Sequence, residues 1–314
     1  MLSYLIRRIV LTLPTLLLVA VSVFALMRLI PGDPAQLMLG DSADAVLLAE
    51  ARQRLGLDQA LPLQFFHWLG QVVQGDFGQS ITDGQPVLPL ILERFQVTAS
   101  IVIAAVFFAT CLAVPLGLLA AWKQNRPIDI VVVASSTLLL SVPSFWLGLM
   151  LLLIFGLKLG WLPVVGYVAL SESLSQGLTY IVLPVATLAM VETGVLTRMA
   201  RSSAIDVLRL EYVSHARAKG AGELRVLLRH VLPNAFAPVL TLIGLVLGHL
   251  LGGAAVLETV FTLPGLGRLL VDSIFARDYP VVQGVLLSTA LIYVLINLIV
   301  DLCYPLFDPR VQVQ

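Results

Sequence analysis

Charge is the scarcest property of this chain. Only 12% of its 314 residues are Asp, Glu, Lys or Arg, and 59% are apolar. A soluble domain carries roughly 25% charged residues, so this composition excludes a water-soluble globular fold. Cysteine is nearly absent as well. Cys111 and Cys303 both fall in or near apolar segments, which rules out a disulfide framework and a cysteine metal site and leaves small packing residues. Catalytic signatures are missing. Glycine never precedes lysine, so there is no phosphate-binding G-x-x-x-x-G-K-[ST] loop, and neither H-E-x-x-H nor G-x-S-x-G occurs. No catalytic residue, metal site or cofactor is expected. Uphill work would draw on a partner or an ion gradient.

What the chain does contain is long apolar runs. A bilayer core needs about 20 apolar residues as a helix. Six stretches qualify: 9–27, 97–122, 130–157, 178–197, 235–257 and 281–300. The expectation is an all-α polytopic membrane protein with six transmembrane helices. Arg7 and Arg8 precede the first run. That run is longer than a signal-peptide core and no small-x-small cleavage site follows, so it reads as an uncleaved anchor, 1–30. The third run is longer than a straight span through about 30 Å requires. Pro143 within it predicts two shorter pieces meeting at an angle.

Six spans place both chain ends on one side. That side also holds the 123–129 loop and the polar stretch 198–230, and with them 12 of the 19 Lys and Arg residues. Twelve of the 19 acidic residues fall on the other side. The positive-inside rule makes the basic side cytoplasmic.

The longest outer connection, 31–96, exceeds a bare loop. It reads as a small helical cap on the outer (periplasmic) side, with a turn at PGDPAQ from Pro31, helices over 43–55 and 63–73, and turn chemistry at Gly75, Gly78, Asp83 and Gly84. It would either steady the first two spans or meet a delivered substrate or its carrier. The last outer loop, 258–280, predicts a turn at LPGLG and a short helix over 268–275 that dips into the outer leaflet or seals a pore mouth. The remainder, 97–314, reads as the transport core.

Within the spans, Gly244, Gly248 and Gly252 recur every fourth residue and make a smooth strip. It serves either packing within this chain or pairing with a second membrane subunit. Glu192 is the one carboxylate well inside a span. It is either a locally paired or snorkelling group near the helix end, or a residue of the translocation path. His249 reads as a hydrogen-bonded packing residue.

The polar stretch 198–230 contains no proline. It has a helix-like core over 211–219 that stops at Gly220, a C-terminal cap. A short structured helix in a basic loop suggests a docking element for a soluble partner. A self-sufficient secondary transporter or channel is the alternative class, for which Glu192 alone offers an ion site. A membrane-embedded enzyme is disfavoured by the missing catalytic groups.

The residues EYVSHARAKGAGELRVLLRHVLPNA, 211–235, resemble the cytoplasmic loop of permease subunits in binding-protein-dependent ABC importers. The family motif is E-A-A-x3-G-x9-I-x-L-P. With its glycine on Gly220, the motif's last alanine falls on Ala216 and its L-P on Leu232 and Pro233. Ser214, His215 and His230 depart from it, in the manner of the dipeptide, oligopeptide and nickel branch. The opening MLSYLIRRIVLTLPTLL, PGDP, LGLDQALPLQ, GDFGQS, GWLP, PGLGRLLVDSIFARDYPVVQ and DLCYPLFDPR are similar to the same branch and span nearly the whole chain.

The resemblance implies two permeases, usually different, forming the pore in a bacterial inner membrane. Two ATP-binding subunits dock beneath and hydrolyse the ATP, and an extracytoplasmic binding protein delivers substrate. It involves no nucleic acid. It also implies that 211–220 is the coupling helix. Ala216 would allow close contact, Tyr212 and Val213 would fill a groove on the ATPase, and Arg217 and Lys219 would pair with its acidic groups. Glu211 opens that helix and Gly220 turns the chain back. Substrates of the branch are dipeptides, oligopeptides, glutathione, nickel or metal chelates. The lack of a His or Cys cluster favours peptides, with a chelated metal as the alternative.

Overall fold

A computed structural model describes residues 2–29, 44–54 and 57–307. Those residues are overwhelmingly helical, and their one strand-like pairing is a bridge between Gln79 and Pro86. Helix α1 is Leu2–Leu29. Two short helices follow, α2 at Ala45–Arg54 and α3 at Leu61–Val73. The long α4, Val87–Trp122, runs to a tight loop and α5, Pro127–Ser141. Helix α6, Ser144–Leu151, passes into a π-helical stretch, Leu152–Lys158. Helix α7 is Leu174–Leu208 and α8 is Glu211–Ala218. A short α9, Glu223–Val226, and a π turn, Leu227–Val231, lead into α10, Leu232–Gly253. Helices α11 (Ala255–Val260) and α12 (Leu266–Phe275) precede α13, Tyr279–Phe307.

Five of these segments are long and apolar enough to cross a membrane, and the α5–α6 pair makes a sixth span if its two arms count as one. Those arms meet at 96°. The break falls at Val142, which is extended, immediately before Pro143. A ring at 143 withholds an N–H and disfavours helix in the residue before it.

Helices α4 and α7 are the spans that most outrun their apolar runs. Helix α4 starts at Val87, not 97, and α7 continues past 197 to Leu208. Hydropathy marks only the part of a helix that lipid covers, and the backbone ladder continues into water. The residues Arg198–Leu208 are therefore a rigid extension of a span. The expected outer helices form close to their predicted places, and α12 begins at Leu266. Gly75, Gly78 and Gly84 all take positive φ in the turn before α4. The PGDPAQ turn lies outside the described residues.

Helices α4 and α7 form the central pair. Ala109 and Ala113 meet Ala189 and Ala200, with Leu196 and Val239 filling the same cluster. Small side chains let backbones approach where lipid gives helices no hydrophobic reason to associate. A Cβ on Gly117 would lie 2.6 Å from that of Ala200, and one on Gly194 would lie 2.7 Å from the Ser136 carbonyl on α5. Large side chains on the outer faces, such as Leu18, Phe107 and Val131, remain exposed, as lipid contacts require.

Candidate functional site

At one end of the bundle α7 leads directly into α8. Leu210 is extended and α8 begins at Glu211. Its other end is closed by a Schellman arrangement. The Gly220 N–H donates to the Arg217 carbonyl at 2.9 Å and the Ala221 N–H to the Ala216 carbonyl at 3.2 Å. Gly220 has φ +83°, where a side chain is strained.

Of the seven residues expected to couple, Val213 does not face outward. It is fully buried among Leu118, Ala204, Ile205, Val226 and Val231. The groove-filling role assigned to it is therefore corrected: on an eight-residue helix one aliphatic side chain must root the element in its own protein. Arg217 is already paired, since its guanidinium donates to both Glu223 carboxylate oxygens at 2.9 and 3.1 Å. The Tyr212 hydroxyl donates to the His230 carbonyl at 3.1 Å, and partial burial pushes its phenol pKa up. Ala216 is half-buried, while Glu211, Lys219 and Gly220 are exposed. The outward face also carries Ser214, His215 and Ala218. In the sequence the first two stand out only as departures from a motif. The signal that identifies them is their offset from Val213, the one aliphatic core position. Leu210 and Leu224 flank this face with 47% and 71% of their surfaces exposed.

The mount beneath α8 is rigid. On α7, Arg201 holds Asp129 of α5 in a two-pronged ion pair at 2.5 and 2.8 Å. Asp129, itself buried, also accepts the Asn125 N–H at 2.9 Å and so closes the loop between α4 and α5. The Ser203 hydroxyl donates to the Ala235 carbonyl, tying α7 to α10. These contacts tie α4, α5, α7 and α10 together beneath α8.

At the opposite end a second polar hub holds α12. The Glu258 carboxylate accepts the Thr98 hydroxyl at 2.6 Å and the Arg268 N–H at 2.8 Å. The Thr98 oxygen in turn accepts the Leu266 N–H at 2.8 Å. A carboxyl group thus caps the first turn of α12, where free N–H groups need acceptors. Gly265 makes room, because a Cβ there would sit 2.1 Å from the Glu258 carboxyl carbon. The sequence predicts the LPGLG turn and the short helix after it, but not the Glu258 cap that holds them. The missed signal is an acid at the end of an apolar run, followed by a glycine turn.

The intramembrane candidates fare differently. A Cβ on Gly244 would lie 2.6 Å from Val300, and one on Gly248 would lie 2.2 Å from the Tyr293 ring. At these two positions the strip meets α13 of the same chain, which corrects the subunit-pairing reading. Side-chain surroundings at Gly252 lie outside the described residues. Glu192 is buried on α7, and the helix runs on to Leu208, so it is not near a helix end. No ion pair reaches it among the described residues. His249 is exposed on α10 and is not a packing residue. Among the described residues no group of three or more His, Cys, Asp or Glu could hold a metal ion.

A bundle of membrane-crossing helices with a short exposed helix rigidly mounted at one end is the build of a membrane permease. The chain belongs to the family of binding-protein-dependent transport system inner membrane components. The family's main domain matches residues 113–313 and its N-terminal domain matches residues 1–102. It is 40% identical over 309 residues to a Sinorhizobium fredii protein named "Probable peptide ABC transporter permease protein y4tP", covering 98% of this chain and 99% of that one. It is 44% identical over 312 residues to the glutathione transport system permease protein GsiC of Salmonella choleraesuis, covering 99% of both. The Escherichia coli K12 protein of that name is 42% identical over the same length. In fold it is similar to a chain of the inward-facing MetNI methionine ABC transporter, with a TM-score of 0.59 at 17% identity, covering 71% of this chain and 98% of that chain. The protein is thus a multi-pass inner membrane component of an ABC importer, a machine that also includes ATPase and substrate-binding partners.

Proposed function

We propose that this permease imports short peptides, using ATP hydrolysed by partner subunits that dock on α8. The observation that carries the reading is α8 itself. It is rooted by Val213, stopped by Gly220, and presents Glu211, Ser214, His215, Ala218 and Lys219 to solvent beside exposed Leu210 and Leu224. Nothing in the chain's own fold requires those apolar side chains to face water, and a partner surface would cover them. ATP-driven closure of the ATPase pair would move α8, and its mount would pass the motion to the spans as a rigid-body change.

On this reading the α8 end is cytoplasmic, along with both chain ends, and the α2–α3 and α12 end faces the binding protein. A second, different permease completes the pore, and it does not use the Gly244–Gly248 strip. Peptide cargo is supported by the names of the relatives, which include peptide and glutathione permeases.

The test is reconstitution of this chain with its second permease, ATPases and binding protein in proteoliposomes. ATP-dependent uptake of labelled short peptides or glutathione is the expected result. Uptake of nickel or a nickel chelate in place of peptides would assign the cargo to the metal branch. Transport with no ATPase present would overturn the coupling scheme in favour of an ion-driven carrier.

A further inference from the structure

Neither the docking face nor its mount uses Glu192. It lies inside the α7 span and is 7% exposed. Among the described residues its carboxylate accepts no hydrogen bond and makes no ion pair. Its two oxygens are nevertheless accessible, so the exposed part of the residue includes its polar head. A carboxylate is costly against lipid, and within a span it faces an interior or a water-filled path and meets a partner there. This chain supplies none, so the partner comes from outside it.

Helical phase says which surface Glu192 reaches. Met199 and Ser203, seven and eleven residues on, share its side of α7. The Ser203 hydroxyl bonds the Ala235 carbonyl of α10. Met199 packs against the same cluster as Phe236, Leu242 and Ile243 of α10, and all four are only partly buried. Glu192 therefore stands at the seam between α7 and α10, where apolar side chains are still half open. The residues three and four positions away on its face, Leu188, Ala189, Val195 and Leu196, are apolar. A single carboxylate in apolar surroundings suits a ligand with one cationic group and apolar flanks. Peptides differ in their side chains, but each with a free N-terminus carries an ammonium group.

We propose that Glu192 is a cargo contact of the translocation path, where its carboxylate takes the N-terminal ammonium group of a peptide in transit. The half-open apolar side chains of the seam accept cargo side chains of varied shape. The proposal rests on the peptide-import reading and adds the residue that holds cargo within the span. A lysine or arginine of the second permease is the rival source of a cation, and the test separates the two.

The test uses the importer assembled from both permeases and the ATPases in phosphatidylcholine nanodiscs, without binding protein, titrated with radiolabelled Ala-Phe-Ala. Saturable binding is expected. Glu192→Gln should weaken it at least about tenfold, and Glu192→Asp should weaken it less. Propionyl-Phe-Ala, the same peptide without its ammonium group, should compete poorly in wild type and as well as Ala-Phe-Ala in Glu192→Gln. Absence of saturable binding to wild type, unchanged affinity in Glu192→Gln, or equal competition by the two peptides in wild type overturns the proposal. So does loss of the second permease from the Glu192→Gln complex on size exclusion, which would assign the carboxylate to subunit pairing. ATP-driven uptake by the complete importer is measured in parallel. Wild-type uptake without ammonium-dependent binding defeats this inference alone, whereas absence of ATP-driven peptide uptake by wild type defeats the import reading.

Discussion

Thr98 joins three helices at the end of the molecule away from α8. Its hydroxyl donates to Glu258 and accepts from the Leu266 N–H, so one oxygen joins α4, α11 and α12. Thr98→Val keeps the shape and leaves two buried partners unsatisfied, at a cost of about 1–3 kcal/mol. A lower Tm for the detergent-solubilised chain is expected, and Thr98→Ser should restore most of it. Gly265→Ala should cost more, because its methyl would collide with the Glu258 carboxyl group. Equal melting of wild type and Gly265→Ala would contradict the hub. The Arg217–Glu223 pair behaves differently. Both side chains are more than a third exposed, and such pairs contribute less than about 1 kcal/mol. Arg217→Gln should leave the Tm essentially unchanged.

At the scale of elements, α8 separates into a root and a face, and the two sides predict different failures. Val213→Ala removes fully buried volume, about 2 kcal/mol of burial, and should lower thermal stability. Ser214→Arg changes only the exposed side. It should leave the Tm intact while cutting ATPase co-purification at least about tenfold. Full retention of the ATPase by Ser214→Arg would remove the outward face from the docking surface.

The extent of α8 and its stop at Gly220 were legible in the sequence, because propensity and capping are local. The direction of Val213 was not, since one large aliphatic residue in eight sets no periodicity. The glycine strip shows the same limit. Four-residue spacing marks a face for close approach, but it does not say whether the neighbour is α13 or another chain. The break at Pro143 was legible because one ring acts on its own neighbours. The lengths of α4 and α7 were not, since a helix outlasts its apolar stretch.

For the whole molecule, the consequential feature is that α8 does not hang from a flexible loop. Arg201 and Asp129 are 72 residues apart in sequence and join two spans beneath it. Nothing local in the sequence pairs them; only the close approach of α4, α5 and α7 does. Asp129→Asn weakens that joint without touching the docking face. The complex should assemble and hydrolyse ATP, yet peptide uptake per ATP should fall several-fold. Unchanged uptake per ATP in Asp129→Asn would show that motion reaches the spans by another route.

The central claim is that the exposed face of α8 meets an ATPase. It is tested most directly by crosslinking in native membranes. In a background with Cys111 and Cys303 replaced by Ala, His215→Cys is treated with a short thiol-to-amine crosslinker, and the products are identified by mass spectrometry. Phe107→Cys, on the exposed flank of α4, is the control. A covalent adduct between His215→Cys and an ABC ATPase, absent from the control, is the predicted result. Recovery of the chain alone or crosslinked only to itself, with the ATPase present in the same membranes, would contradict the account.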